Sequence, residues 1–232
     1  MKRFYKAVTV QPNEGGYAVA LDGRLVKTQT GRPQVVPSAA TAELLAAEWE
    51  RQGETIEPKS FRHRDMADYA IDMIAQDRRR SIDKLLSYGE TDTLCYRADP
   101  DEALYARQQE EWEPILSALE DRLGITMTRV SGVMHKAQGE SALARLREEV
   151  EGLDDFTLAA LETMASLAAS LTAALGAMQD DADAGAIWDA AQLEERWQIE
   201  QWGEDAEAAR RMAERREAFM AAHAFAASLR SE

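Results

Sequence analysis

The chain offers three histidines, one cysteine and one stretch where tryptophans surround carboxylates, and each would carry a different chemistry. A protein metal site needs His, Cys or acidic ligands at recognised spacings. His63, His135 and His223 have no such neighbours, and His63 sits inside the charged run Arg62-His63-Arg64-Asp65, so no metal is expected. A thiol nucleophile needs a lowered pKa and a nearby base. Cys95 lies in Thr91-Asp92-Thr93-Leu94-Cys95-Tyr96-Arg97, where Arg97 could supply positive charge and a distant histidine the base. Equally, a lone cysteine between Leu94 and Tyr96 reads as a small buried apolar residue. Arg78-Arg79-Arg80 could hold a phosphate or form a solvated helix face. No G-x-S-x-G, P-loop or G-x-G-x-x-G occurs, and no cofactor is expected. With 42 acidic residues, paired carboxylates arise anywhere and do not point to acid–base catalysis.

The stretch Ile187 to Trp202 is more specific. Read as one helix, it carries two apolar stripes. Trp188, Ala191, Ile199 and Trp202 lie on one side; Leu193 and Trp197 lie nearly opposite. Glu195 falls within the first stripe and Glu200 within the second. A helix apolar on two faces buries both, in its own bundle or against a partner. A carboxylate buried there without a partner costs several kcal/mol, so each acid must be paired or stay near solvent. Aromatic residues around a charge are a common interface composition. A central helix whose acids pair internally, with Arg196 or a residue of another helix, fits the same pattern.

The elements that would position these residues change character along the chain. Phe4 to Val10 and Tyr17 to Leu21 alternate with period two across the break at Gly15-Gly16. Asp22-Gly23 signals a tight turn into a third strand from Leu25 to Thr28, and Gln34 to Val36 is a short fourth. Pro37-Ser38 then opens a helix through Leu45 and Trp49 that ends at Gly53 and Pro58. Further helices are expected from about Asp65 to Tyr88, from Asp99-Pro100-Asp101-Glu102 to Gly124, and over 140–151, 155–178, 182–202 and 205–229. Met66, Tyr69, Ala70, Met73 and Ile74 form the stripe of the first of these, and Gly89 interrupts it. Ile125 to Val130 alternates like an isolated strand. The fold class is therefore α+β: a small antiparallel β-rich N-terminal domain with one helix (1–60), packed on a larger α-helical C-terminal domain (61–232).

Bulk properties narrow the function. A formal net charge of −15 argues against nucleic acid and against an anionic membrane surface, and favours a basic protein partner. One cysteine allows no intrachain disulfide and fits a reducing compartment. No run of about 18 apolar residues is present, so no membrane insertion is expected. A soluble protein of a bacterial cytoplasm is expected, or of the mitochondrial matrix if this is a mature organellar form. Oligomeric state is not legible.

Taken together, several motifs resemble one family. They are Lys2-Arg3-Phe4-Tyr5-Lys6; Leu21-Asp22-Gly23-Arg24 with Val26-Lys27-Thr28; Glu48-Trp49 with Gln52, Ile56 and Pro58; Ala70-Ile71-Asp72; Thr91-Asp92 with Leu94 to Ala98; Trp112 with Pro114; and Gln198-x-Glu200 with Trp202-Gly203. Their ordered set is similar to the assembly chaperones for the alpha subunit of the F-type ATP synthase head, found in mitochondria and alphaproteobacteria. The chain departs from that pattern at Gln29, Phe61-Arg62 and Met66. The resemblance implies a non-enzymatic chaperone that binds unassembled alpha subunit, and it implies that Glu200 matters. The candidate partner-binding residues are Glu200, Trp197, Trp202, Glu195 and Trp49. The rival readings are a thiol-dependent enzyme centred on Cys95 and a stable structural subunit of a complex.

Overall fold

The computed structural model describes residues 1–132, 134 and 136–230; His135 lies outside them. The strands are β1 (Val8–Asn13), β2 (Gly16–Leu21), β3 (Arg24–Leu25), β4 (Val35–Val36), β5 (Tyr96–Arg97) and β6 (Val130–Ser131). The helices are α1 (Ala39–Glu50), α2 (Arg62–Tyr69), α3 (Arg78–Glu90), α4 (Ala103–Leu123), α5 (Glu140–Glu151), α6 (Asp155–Ala168), α7 (Leu171–Ala177), α8 (Ala184–Ala191), α9 (Leu193–Trp202) and α10 (Ala206–Leu229). The α+β class expected from the sequence is what the chain adopts. It packs as two units. The first comprises residues 1–80, 154–160 and the chain from 224 onward; the second comprises 81–153 and 161–223. The expected boundary near residue 60 thus differs from the observed division, which keeps 61–80 and two distant segments with the sheet.

In the first unit, β2 is central. It pairs antiparallel with β1 from Val8↔Leu21 to Asn13↔Gly16, and with β3 and β4 along its other edge. Asp22 (φ 47°) and Gly23 (φ 80°) make the tight turn the sequence predicts. The Asp22 carboxylate accepts from Lys6 N and Ala7 N at 3.1 and 2.8 Å, which ties the incoming chain to the turn and lowers its pKa. Gly16 is required by close approach, since a Cβ there would sit 2.1 Å from Val36 O. The first strand begins at Val8, not Phe4. The third strand is registered only to Leu25, although Val26 N still donates to Val19 O; the chain then turns at Thr28 to Gly31 (Gly31 N→Thr28 O), so that Thr28 N donates to Arg32 O and Gln34 N to Val26 O.

Ser38 caps α1, its Oγ accepting from Thr41 N at 3.0 Å. α2 starts at Arg62, three residues before the expected start. The buried Glu48 explains why: its carboxylate accepts from His63 N (2.8 Å) and Arg64 N (3.0 Å), a cap supplied from α1. After Tyr69 the helix widens at Ala70–Ile74, with Ala75 N donating to Ala70 O. The extra residue rotates the apolar face, so Met73 is half-exposed and Asp72 is buried instead. Asp72 accepts from Thr28 Oγ1 (2.9 Å), Thr30 Oγ1 (2.6 Å) and Thr30 N (3.3 Å), which pins the loop after β3.

The core of the second unit is α4. Trp112, Leu116, Leu119 and Leu123 are buried, and Trp112 Nε1 donates to Ala190 O at 2.7 Å. α4 starts at Ala103, after Asp99 to Glu102 has formed its own turn (Glu102 N→Asp99 O, 2.9 Å), so Pro100 is not its first residue. Gly124 ends it in the left-handed conformation at φ 65°. Gly89 does not interrupt α3. It is a packing glycine inside the helix, where Leu146 and Leu171 approach to 3.2 Å of where a Cβ would stand. Ile125 to Met127 forms no strand; Met127 N donates to the Glu120 carboxylate, while Val130–Ser131 pairs parallel with Tyr96–Arg97. The expected helix over 155–178 is two helices, broken at Ala169 (φ 50°), and the expected 182–202 helix is two, broken at Gln192.

Candidate partner-binding site

α9 is set at its angle by the break at Gln192 (φ −98°, ψ 17°), so the two-stripe helix read from the sequence does not exist as one cylinder. Trp188 and Ala191 are buried on α8, and only Leu193 is buried on α9. The remaining positions of α9 face solvent to differing degrees. Trp202, the last residue before Gly203 (φ 86°), is 79% exposed. An exposed ring of that size offers contact area to a partner.

Both acids of α9 are paired, each with an arginine of another helix. Glu200 Oε2 accepts from Arg107 Nη1 of α4 at 2.6 Å, with the Glu200 side chain 48% exposed. Arg107 also donates to Glu111 at 3.2 Å, and its guanidinium lies over the Trp197 ring, 5.6 Å from the centroid. Glu200 and Glu111 together hold the Arg107 guanidinium more firmly charged than usual. Glu195 accepts from Arg215 of α10 at 3.0 Å, and Arg215 in turn caps Leu167 O at 2.7 Å and lies over Trp188. Arg196 is used elsewhere, bonding Glu111 and Asp189 O. Exposed pairs of this kind contribute roughly 0.2–1 kcal/mol each, so their value is positional more than energetic.

The geometry leaves a usable face. An open groove of about 550 Å³ runs between α9 and α10, lined by Glu195, Ile199, Trp202, Met212 and Arg215 among others. Glu200 spends one carboxylate oxygen on Arg107; its other oxygen accepts no hydrogen bond among the described residues. An aromatic ring, an apolar groove and a half-exposed acid therefore occupy one helix. Trp49, the fifth candidate, belongs to the first unit and is largely buried. Its ring meets Tyr5 edge-on at 5.5 Å and Phe61 at 4.5 Å, with Arg64 over its face.

Three residues that sequence reasoning passed over help hold this face: Arg107, Glu111 and Arg215. Arg107 lies 93 residues from Glu200 and has no local signal connecting the two.

The thiol chemistry weighed from the sequence is not supported by the geometry. Cys95 is fully buried, and burial together with the nearby Asp92 charge pushes its pKa up to about 12. Arg97 does not serve it: that guanidinium donates to Gln108 O (2.6 Å) and Glu113 (2.9 Å) and covers the Trp112 ring. His223 Nδ1 is engaged with Ala177 O. Among the described residues no group of three His, Cys, Asp or Glu could hold a metal ion, and no helix is long and apolar enough to cross a membrane. Arg78 of the arginine run pairs with Asp155 at 2.6 Å.

The family model for the ATP12 chaperone protein matches residues 2–120. The protein atp12, mitochondrial, of Schizosaccharomyces pombe is 26% identical over 216 residues, spanning 87% of this chain and 74% of its own. Among solved structures, Atp12 from Paracoccus denitrificans superposes with a TM-score of 0.92 at 34% identity, covering 99% of this chain and 98% of that one. The Atu1473 protein from Agrobacterium tumefaciens gives 0.95 at 39% identity, covering 99% and 86%. The chain belongs to the ATP12 chaperone family.

Proposed function

We propose that this member of a chaperone family serving ATP synthase assembly holds the unassembled alpha subunit and covers the surface that subunit later gives to beta. The observation that carries the reading is α9, whose 79% exposed Trp202 lines the groove against α10 while a half-exposed Glu200, with one carboxylate oxygen accepting no hydrogen bond among the described residues, lies on the side toward α4. An alpha subunit released alone exposes apolar surface, and large exposed apolar patches aggregate. Trp202, Ile199 and the adjoining groove supply contact area. Glu200 accepts from a basic group of the client through its free oxygen while keeping Arg107. Trp197, held under Arg107, keeps that carboxylate in place, and Glu195 steadies the groove through Arg215. Trp49 enters the reading only through the first unit. The protein is placed in a bacterial cytoplasm or the mitochondrial matrix.

The direct test is a pull-down under mild conditions from cells making all head subunits. Free alpha subunit, without beta, is expected on the chaperone. Recovery of neither, or of assembled alpha–beta complexes in fixed stoichiometry, would replace this reading with that of a resident structural subunit. The thiol-enzyme alternative is tested separately. Cys95→Ser is expected to lower stability by about 1–2 kcal/mol, because a hydroxyl replaces a thiol in an apolar pocket. Suppression of alpha-subunit aggregation, followed by light scattering, is expected to be unchanged.

A further inference from the structure

The first unit carries a second open groove, of about 880 Å³, that the α9 reading leaves unused. Three of the six large apolar side chains exposed among the described residues line it: Met1, Phe4 (62%) and Leu25 (42%). Its inner wall is aromatic and continuous. Phe4 meets Tyr5 edge-on at 5.3 Å, Tyr5 meets Trp49 at 5.5 Å, and Ile56 and Pro58 complete the lining. Trp49 Nε1 is buried with no hydrogen-bond partner among the described residues, so the wall holds one unused donor.

The charge of this groove opposes that of the chain. Residues 1–80 carry 13 Lys and Arg against 11 Asp and Glu, in a protein of net charge −15. Arg24, Lys27 and Arg64 line the groove, and its sole acid is Asp22. That carboxylate is already committed to Lys6 N and Ala7 N. Arg64 is partly neutralised by Asp68 at 3.6 Å. Arg24 and Lys27 are exposed and form no ion pair among the described residues. Two exposed cations without a contact ion pair beside an apolar trough, Arg24 sharing the field of Asp22, favour an occupant bearing carboxylates and apolar side chains together. The shape favours an extended one. Arg24 and Leu25 form a two-residue strand, β3, which pairs with β2 only; the returning chain covers Val26 to Thr28 just beyond it, with Gln34 N donating to Val26 O and Thr28 N to Arg32 O, so the edge open to an added strand is that of Arg24 and Leu25.

We infer that this groove is a second polypeptide-binding site, taking an extended client segment that alternates apolar residues with Asp or Glu. An anionic bilayer carries similar charge, but a strand edge gives a lipid nothing to bond. The inference does not depend on which subunit is the client.

The test uses the full chain and three short fluorescein-labelled peptides that share alternating Val positions and carry Glu, Gln or Lys between them. Fluorescence anisotropy is expected to rank them Glu, then Gln, then Lys. The double variant Arg24→Glu/Lys27→Glu, checked for an unchanged thermal melt, is expected to bind the Glu peptide roughly tenfold more weakly and to reverse the order. Leu25→Gln is expected to weaken all three, and added salt to weaken only the Glu peptide. Equal binding of Glu and Lys peptides, or indifference to the charge reversal, would overturn the inference. So would binding of phosphatidylglycerol vesicles, or self-association sensitive to Leu25→Gln, with no peptide bound. The peptides are synthetic, so failure here leaves the alpha-subunit reading standing, and failure of the pull-down leaves this one standing.

Discussion

Trp202→Ala is expected to weaken client binding by about thirtyfold, corresponding to roughly 2 kcal/mol for an aromatic anchor at an interface. The fold should be untouched, because the side chain is 79% exposed and closes no core. The measurement is client affinity by titration, alongside a urea melt of the free chaperone. Glu200→Gln is expected to cost less, near 1 kcal/mol, since the amide keeps one acceptor but loses the charge that holds a cation. An interface role requires the two changes to reduce affinity while the melt stays at wild type. If Trp202→Ala left affinity unchanged, α9 would not be the client-facing helix. A lowered melt with unaltered affinity would make Glu200 and Arg107 a brace between α9 and α4 and nothing more.

The second large effect is structural. Asp92→Ala is expected to destabilise the second unit by about 3 kcal/mol, since it strands several buried donors at once. Asp92 is completely buried. Its Oδ1 accepts from Leu94 N at 3.1 Å and its Oδ2 from Thr172 N at 2.8 Å, so one carboxylate starts a 3₁₀ turn and the helix α7. Burial raises its pKa while these donors, with Ser170 and Thr172, pull it down. Asp92→Asn sheds the charge and keeps one oxygen, so it should fall between Ala and wild type. A loss of about 3 kcal/mol lowers the melting temperature by roughly 10 °C in a chain of this length. A shift under 2 °C for the Ala variant would mean that the two backbone N–H groups find water or other acceptors once Asp92 is gone.

Asp92 also marks the limit of what the sequence discloses. The helix over 155–178 reads as unbroken because nothing local ends it: Ala169 and Ser170 are not strong breakers. The break exists because the turn at 92–93 reaches it, with Thr93 N donating to Ala169 O and Asp92 capping Thr172. The early start of α2 has the same origin, a cap on its first turn from Glu48. Period and turn chemistry are local and were legible: the β1–β2 and β2–β3 turns, the Ser38 cap, the Gly124 stop and the α+β class all follow from neighbouring residues. Capping and charge pairing across tens of residues are not local.

The site divides along the same line. That Trp197 and Glu200 share one side of the helix, with Trp202 and Glu195 nearly opposite, is visible from their spacing. That Glu200 is held by Arg107, and that Trp188 turns inward while Trp202 does not, depends on the bend at Gln192. A single helical cylinder would have placed both tryptophans on the same buried stripe.

The last turn of α10 has a consequence for how the protein is made. Ser228 accepts from Ser38 Oγ at its carbonyl and shares a bond with Thr41, while Phe225 stacks on His63 at 6.3 Å. Residues at both extremes of the chain thus complete one core. A nascent polypeptide cannot close its N-terminal unit until residues 225–228 have been made and have cleared the ribosomal tunnel. Until then α1 and α2 wait with an uncovered flank. A chaperone of this construction passes through its own synthesis in the exposed condition from which it shelters others.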